Sequence, residues 1–152
     1  MNIEQKDTYF VAVKIFLMNF VETQDFASLL ILKDNFGDWD LPGGRIKKDE
    51  FDVPFEQIIK RKMIEELGDK IKYTIIKPAV FMRYERIEAT PGNPLVRIFA
   101  IGYSGTLDSG EIILSSRHTE MKWVNLKIFK PEEYFKGGWL KGVKEYIDFV
   151  KQ

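Results

Sequence analysis

The chemistry of this chain is concentrated in one stretch, Leu41–Gly68, LPGGRIKKDEFDVPFEQIIKRKMIEELG. Gly43 and Gly44 follow a proline, and without a Cβ they let backbone approach a ligand closely. The basic residues Arg45, Lys47 and Lys48 come next, and beside a glycine pair they suit a diphosphate as well as a solvated loop. The stretch closes on Glu65 and Glu66. Adjacent carboxylates on a helix, next to such a loop, suit a divalent cation bound together with a phosphate. Far downstream stands His118, the single histidine of the chain. Imidazole titrates near neutrality, as a general base requires. Each feature alone has an ordinary reading. Gly-Gly after proline is a turn, and Arg61 with Glu65 is an i, i+4 pair worth roughly 0.2–0.5 kcal/mol. A lone histidine is more often structural than catalytic. The signal lies in finding them together and in register.

The elements that must position these residues follow from periodicity. Phe55, Ile59, Met63 and Leu67 recur at helical spacing and form the expected buried stripe. A helix is therefore expected from about Pro54, with Asp52 as its cap and Gly68 as a left-handed terminus. That helix turns Lys62, Glu65 and Glu66 toward one another. Before it, Tyr9–Met18 is apolar on both alternating faces apart from Lys14, which reads as a central strand, and Phe26–Leu32 as its partner across VETQD. KDNFGDWD supplies turn chemistry ahead of the glycine pair. After the helix, Tyr73–Ile87 is one bent strand or two short ones around Pro78. ATPGNP is a turn, Leu95–Tyr103 a strand, GTLDSG a turn and IIL a short strand leading to His118. Lys130–Phe135 is a connection, and Trp139–Val150 an amphipathic helix with Leu140, Val143, Ile147 and Val150 inward. Trp39 and Trp123 suit a wall or core, and Tyr84, Phe81 and Tyr103 a core or a nucleobase pocket.

A chain of 152 residues, 45% of them apolar, forms one domain over 1–152, with polar residues 1–8 as a loose lead-in. Twenty-three basic residues balance 23 acidic ones, so no global field recruits nucleic acid or an anionic membrane. Cysteine is absent, which removes disulfides, thiolate nucleophiles and Cys-based zinc sites. The longest apolar runs are strand-sized. A soluble, reducing, cytoplasmic setting is the default expectation.

In register, the stretch resembles the Nudix box: a glycine, an acidic loop, then an Arg-Glu-x-x-Glu-Glu-x-Gly helix. Gly43, Gly44 and Arg45 match its start, Glu50 falls at the expected interval, and Arg61, Glu65, Glu66 and Gly68 match its end. Trp39 before LPGG and the later HTEMKWV segment fit as well. The resemblance implies an α/β/α sandwich with a mixed β-sheet, an internal box helix and a C-terminal helix. It also implies hydrolysis, with Mg2+ or Mn2+, of a nucleoside diphosphate linked to another moiety. Glu66 would be the main metal ligand, supported by Glu65 and a Gly43 or Gly44 carbonyl. Arg45 and Arg61 would hold the diphosphate or orient the carboxylates. Relatives are often dimers, which extends to a homodimer here.

Three positions depart from the pattern. Ten residues separate Glu50 from Arg61 where the pattern has seven, Asp69 replaces an apolar residue, and Lys62 stands at the first helical glutamate. A lysine there reduces the number of ions held, to one; magnesium needs only one or two carboxylates plus phosphate oxygens. PGGRIKKDE and RKMIEELG look most like the GDP-mannose mannosyl hydrolase branch. That branch carries a histidine five residues before a tryptophan, as His118 precedes Trp123. There the histidine is the base for water attacking the anomeric carbon, which points to a nucleotide sugar. Arg117 occupies the place of a metal-binding glutamine. Arginine cannot ligate a cation, but its planar donors suit phosphate.

A binding module with little turnover is the competing expectation, Lys62 and Arg117 then replacing metal charge against a phosphorylated ligand. A transcriptional regulator is a poor third, since no helix-turn-helix segment is present.

Overall fold

The computed structural model describes residues 3–20, 26–88, 92 and 95–151. The turn expected at 21–25 and most of that at 89–94 lie outside the described residues. Seven strands share one sheet: β1 (Phe10–Phe20), β2 (Ala27–Asp34), β3 (Trp39–Asp40), β4 (Gly43–Arg45), β5 (Ile71–Ile87), β6 (Leu95–Gly110) and β7 (His118–Asn125). Helix α1 (Phe55–Leu67) follows β4, and helix α2 (Gly137–Val150) ends the chain. The main order is β3-β2-β1-β6-β5, with β7 on β2 and β4 on β1. Only β1 and β6 run parallel among these pairings, so the sheet is mixed.

The apolar character of β1 on both faces has a direct cause, because each face meets a helix layer. Val13, Ile15 and Leu17 pack with Leu30, Leu32 and the α1 residues Ile58, Ile59, Met63 and Leu67. Ala12 and Phe16 face the other way, toward Met82, Val143, Tyr146 and Ile147. Phe16 stacks on Tyr146 at 4.0 Å and Tyr84 on Trp139 at 4.4 Å. The result is the expected α/β/α sandwich.

One fork in this sheet prepares the site. β1 pairs with β2 only at Met18–Phe20, then takes β4 over Ala12–Lys14 on the same edge. The glycine pair is thereby threaded between the diverging strands. Gly43 has φ 132°, and a Cβ on it would stand 2.1 Å from the Val13 carbonyl oxygen, so only glycine fits.

Several local expectations are corrected. Phe55 is 41% exposed, and the buried stripe of α1 starts only at Ile58 and Ile59. Asp52 does not cap the helix; Pro54 holds that position without a side-chain bond. Gly68 has positive φ but an extended ψ of −179°, and its N–H closes on the Ile64 carbonyl at 3.1 Å. Tyr73–Ile87 belongs to one continuous strand whose register shifts around Pro78. GTLDSG is not a turn: β6 keeps pairing with β5 through Gly110. The small residue at 105 serves packing, since a Cβ there would meet the Ile15 side chain at 2.6 Å. The IIL segment is not a strand but runs along the end of α1, Ile113 N–H donating to the Leu67 carbonyl at 2.9 Å.

Candidate functional site

Glu66 is the centre of the site, and its burial is unusual for a carboxylate at 4% exposed. Being one turn on from Lys62 and flanked by Met63 and Leu67, it is turned toward the sheet rather than to solvent. Its Oε1 accepts the Gly43 N–H at 3.0 Å, joining α1 to the glycine pair. Its backbone carbonyl accepts the Ser115 N–H at 3.0 Å, which fastens the approach to β7 against the helix end. That bond brings His118 over the carboxylate, with Nε2 3.4 Å from Glu66 Oε2. Ser115 then holds the far side of the imidazole, Oγ to Nδ1 at 3.2 Å.

Two lysines surround this pair. Lys14, buried in β1, donates to Asp40 at 3.0 and 3.2 Å and to the Leu41 carbonyl at 3.3 Å. Lys62 lies across Gly44, so close that a Cβ there would come within 2.6 Å of its Cε. Its ammonium sits 3.1 Å from Glu65 Oε2 and 3.9 Å from Glu66 Oε1. Burial pushes the Glu66 carboxyl up to about 7 against the pull of Lys14, the Gly43 N–H and Lys62. Burial likewise holds His118 below its ordinary value. For Lys14 burial opposes the charge, yet Asp40, Tyr84 and Glu66 keep its pKa raised.

The segment from Glu50 to Arg61, which runs into the first half of α1, is closed by a two-bond fork. Arg61 Nε and Nη2 donate to Glu50 at 2.9 and 2.8 Å, and Nη1 donates to Glu65 at 3.0 Å. Arg61 therefore orients carboxylates. Arg45 is paired with Glu88 and stacks over Phe10 at 5.0 Å.

A cleft of about 340 Å3 opens onto this arrangement. Of the residues singled out from sequence, Gly43, Gly44, Arg45, Lys62, Glu66, Tyr84, Arg117 and His118 line it, whereas Arg61 and Glu65 do not. Sequence reasoning missed Lys14, Asp40 and Arg86, which also line it. Lys14 carried a usable signal as the one charge inside an apolar strand; Arg86 and Asp40 carried none. Among the described residues neither Arg86 nor Arg117 forms a close ion pair, although the charge of Arg86 reaches the Glu88 carboxylate. A second hollow of about 450 Å3 lies by β5 and α2, where Arg97 is already committed to Glu85 and Asp7.

The residues present do not fit a resident metal cluster. Among the described residues no three His, Asp or Glu side chains converge to hold an ion. Both Glu65 oxygens face cations, Arg61 and Lys62, and Lys62 also approaches Glu66. What remains is one inward carboxylate, enough only for an ion already carried by phosphate oxygens.

Compared by sequence, the chain matches no family model and no curated protein. Solved structures share its fold. A MutT protein from Methanosarcina mazei Go1 is 22% identical with a TM-score of 0.74, over 98% of this chain and 99% of that one. A Nudix hydrolase from M. Smegmatis is 15% identical with a TM-score of 0.67, over 93% and 86%. An ADP-ribose pyrophosphatase from Streptococcus suis is 17% identical with a TM-score of 0.62, over 95% and 94%. The fold is the Nudix sandwich.

Proposed function

We propose that this chain is a Nudix hydrolase of a nucleoside diphosphate linked to a second group, a nucleotide sugar being one such substrate. The observation that carries the reading is the convergence in one cleft of the glycine pair, the Glu66–His118 pair and the arginines Arg86 and Arg117. The similarity to an ADP-ribose pyrophosphatase supports the substrate class. The diphosphate lies in the cleft that Gly43 and Gly44 line and is held by Arg86 and Arg117, whose planar forks match phosphate oxygens. Glu66 would be the residue that meets magnesium or manganese carried by that diphosphate, and the ion would supply neutralisation of the phosphate charge. His118, with Nδ1 turned to Ser115 Oγ, takes the proton of the attacking water at Nε2. Glu66 at 3.4 Å from Nε2 stabilises the imidazolium that forms.

The test is a screen of nucleotide sugars and other nucleoside diphosphate derivatives with magnesium or manganese, identifying products. Sugar plus nucleoside diphosphate indicates attack at carbon with His118 as base. Nucleoside monophosphate plus sugar phosphate indicates attack at phosphorus and removes His118 from that role. The position of Lys62 across Gly44 favours a second reading, a module that binds the phosphorylated ligand without turnover. Calorimetric titration separates the two. Affinity kept in EDTA with no product formed selects the binder, and affinity lost in EDTA rejects it.

A further inference from the structure

The cleft is charged at its floor, and one apolar residue at its mouth has no structural use. Phe36 lines the cleft and is 86% exposed. Among the described residues its ring stacks on no other aromatic and under no cation. Every other candidate platform is occupied or distant. Trp39 meets Tyr134 edge-on and Tyr84 is buried under Trp139. Tyr103 and Trp123 pack with the α1 layer, and Phe81 pairs with Phe99 away from the cleft.

The backbone that carries the ring is also held in place. Asp34 Oδ1 accepts the N–H groups of both Phe36 and Asp38 at 2.9 Å, and Asp34 N–H donates to the Asp38 carbonyl at 2.9 Å. Gly37 supplies the positive φ of 88° that the turn needs. Asn35 Nδ2 donates to the Ser116 carbonyl at 3.2 Å, tying this turn to the one that carries Arg117. The turns that carry Phe36 and Arg117 are thus tied together on one rim of the cleft.

We infer that Phe36 is the nucleobase-stacking residue of the cleft, with Arg117 beside it serving the base or its adjoining phosphate. The inference rests on the proposed nucleotide substrate. A diphosphate is drawn to the lysines and arginines inside, which leaves the planar base at the mouth, where a free π-face gives sequence-tolerant stacking. The site accordingly selects for a flat aromatic group joined to the diphosphate, and less strongly among the four bases.

Calorimetric titration of ADP, GDP, UDP and inorganic pyrophosphate, each with magnesium, into wild type, Phe36→Ala and Phe36→Trp tests this. Phe36→Ala weakens the tightest of the three nucleotides about 5- to 150-fold and leaves pyrophosphate unchanged; Phe36→Trp keeps the nucleotide affinity and gains a fluorescence signal quenched by nucleotide but not by pyrophosphate. Equal nucleotide affinity in wild type and Phe36→Ala overturns the stacking role while leaving the hydrolase reading intact. A parallel loss of pyrophosphate overturns it too, as distortion of the cleft. A wild type that binds none of the three nucleotides overturns the substrate class itself.

Discussion

Gly43→Ala isolates the close approach that sets the glycine pair into the fork of the sheet. Two costs add. The φ of 132° lies where side-chain-bearing residues are strained, at about 1–3 kcal/mol. The added Cβ also meets fixed backbone, 2.1 Å from the Val13 oxygen and 2.8 Å from Lys14 Cα, an overpacking cost of about 1–3 kcal/mol. The expected loss is therefore about 2–6 kcal/mol, a large share of the roughly 5–15 kcal/mol a domain possesses. Gly37→Ala is the control. Its φ is 88°, but a Cβ there meets nothing within 4 Å, so only the conformational cost of about 1–2 kcal/mol applies. Urea melts of both variants at neutral pH, read as the midpoint at unchanged slope, compare them. A Gly43→Ala variant no less stable than Gly37→Ala refutes the reasoning. In that event β4 is able to move away from β1, and the fork is not the rigid mount described above.

Three further outcomes follow from the site. Lys62→Glu removes the ammonium beside Glu65 and Glu66 and adds a carboxylate, so Mn2+ affinity without nucleotide, followed by electron paramagnetic resonance, rises; unchanged affinity shows that Lys62 is not what keeps a resident ion out. His118→Gln lowers turnover of an active substrate by about 10²–10⁴-fold at unchanged nucleotide affinity, and full activity dismisses the imidazole as base. Glu50→Gln loosens the fork to Arg61 at a cost of about 1.5–3 kcal/mol. Hydrogen bonds from Arg61 hold the Glu50 carboxyl below its ordinary value. Its contribution is therefore complete above the unfolded pKa of about 4.3 and lost as pH falls through the lower folded value. Urea midpoints of wild type and Glu50→Gln differ at pH 7 and converge in that acid range; a pH-independent difference contradicts the assignment.

The parts of the fold that were legible in the sequence are those where one residue type answers to one neighbour. Val13, Ile15 and Leu17 alternate with Ala12 and Phe16 because helices cover both faces of β1, and that pattern survives in one dimension. Ile59, Met63 and Leu67 are legible for the same reason. Phe55 is not, because the helical period says nothing about where along the helix burial begins. Gly105 misled, since glycine marks a turn and a tight packing position alike, and here Ile15 is the cause. In the site, Glu65, Glu66, Gly43 and Gly44 were visible through their spacing. Asp40 and Arg86 were not, because Asp40 meets Lys14 across 26 residues and Arg86 is brought to the cleft only by the pairing of β5 with β6. Phe36 was hidden within a string of turn residues, where an aromatic ring has no periodic partner to betray its use.

The outer strand β5 has a bearing on how copies of this chain can coexist at high concentration. It stands at one end of the sheet order, 17 residues long, which is the shape of a template for adding a further strand. Pro78 has no N–H to offer, Lys72 and Lys77 are exposed along it, and its register slips at three places. A second chain approaching this edge finds neither a regular ladder nor a neutral one. The irregular, proline-containing strand is thus a built-in guard against edge-to-edge aggregation.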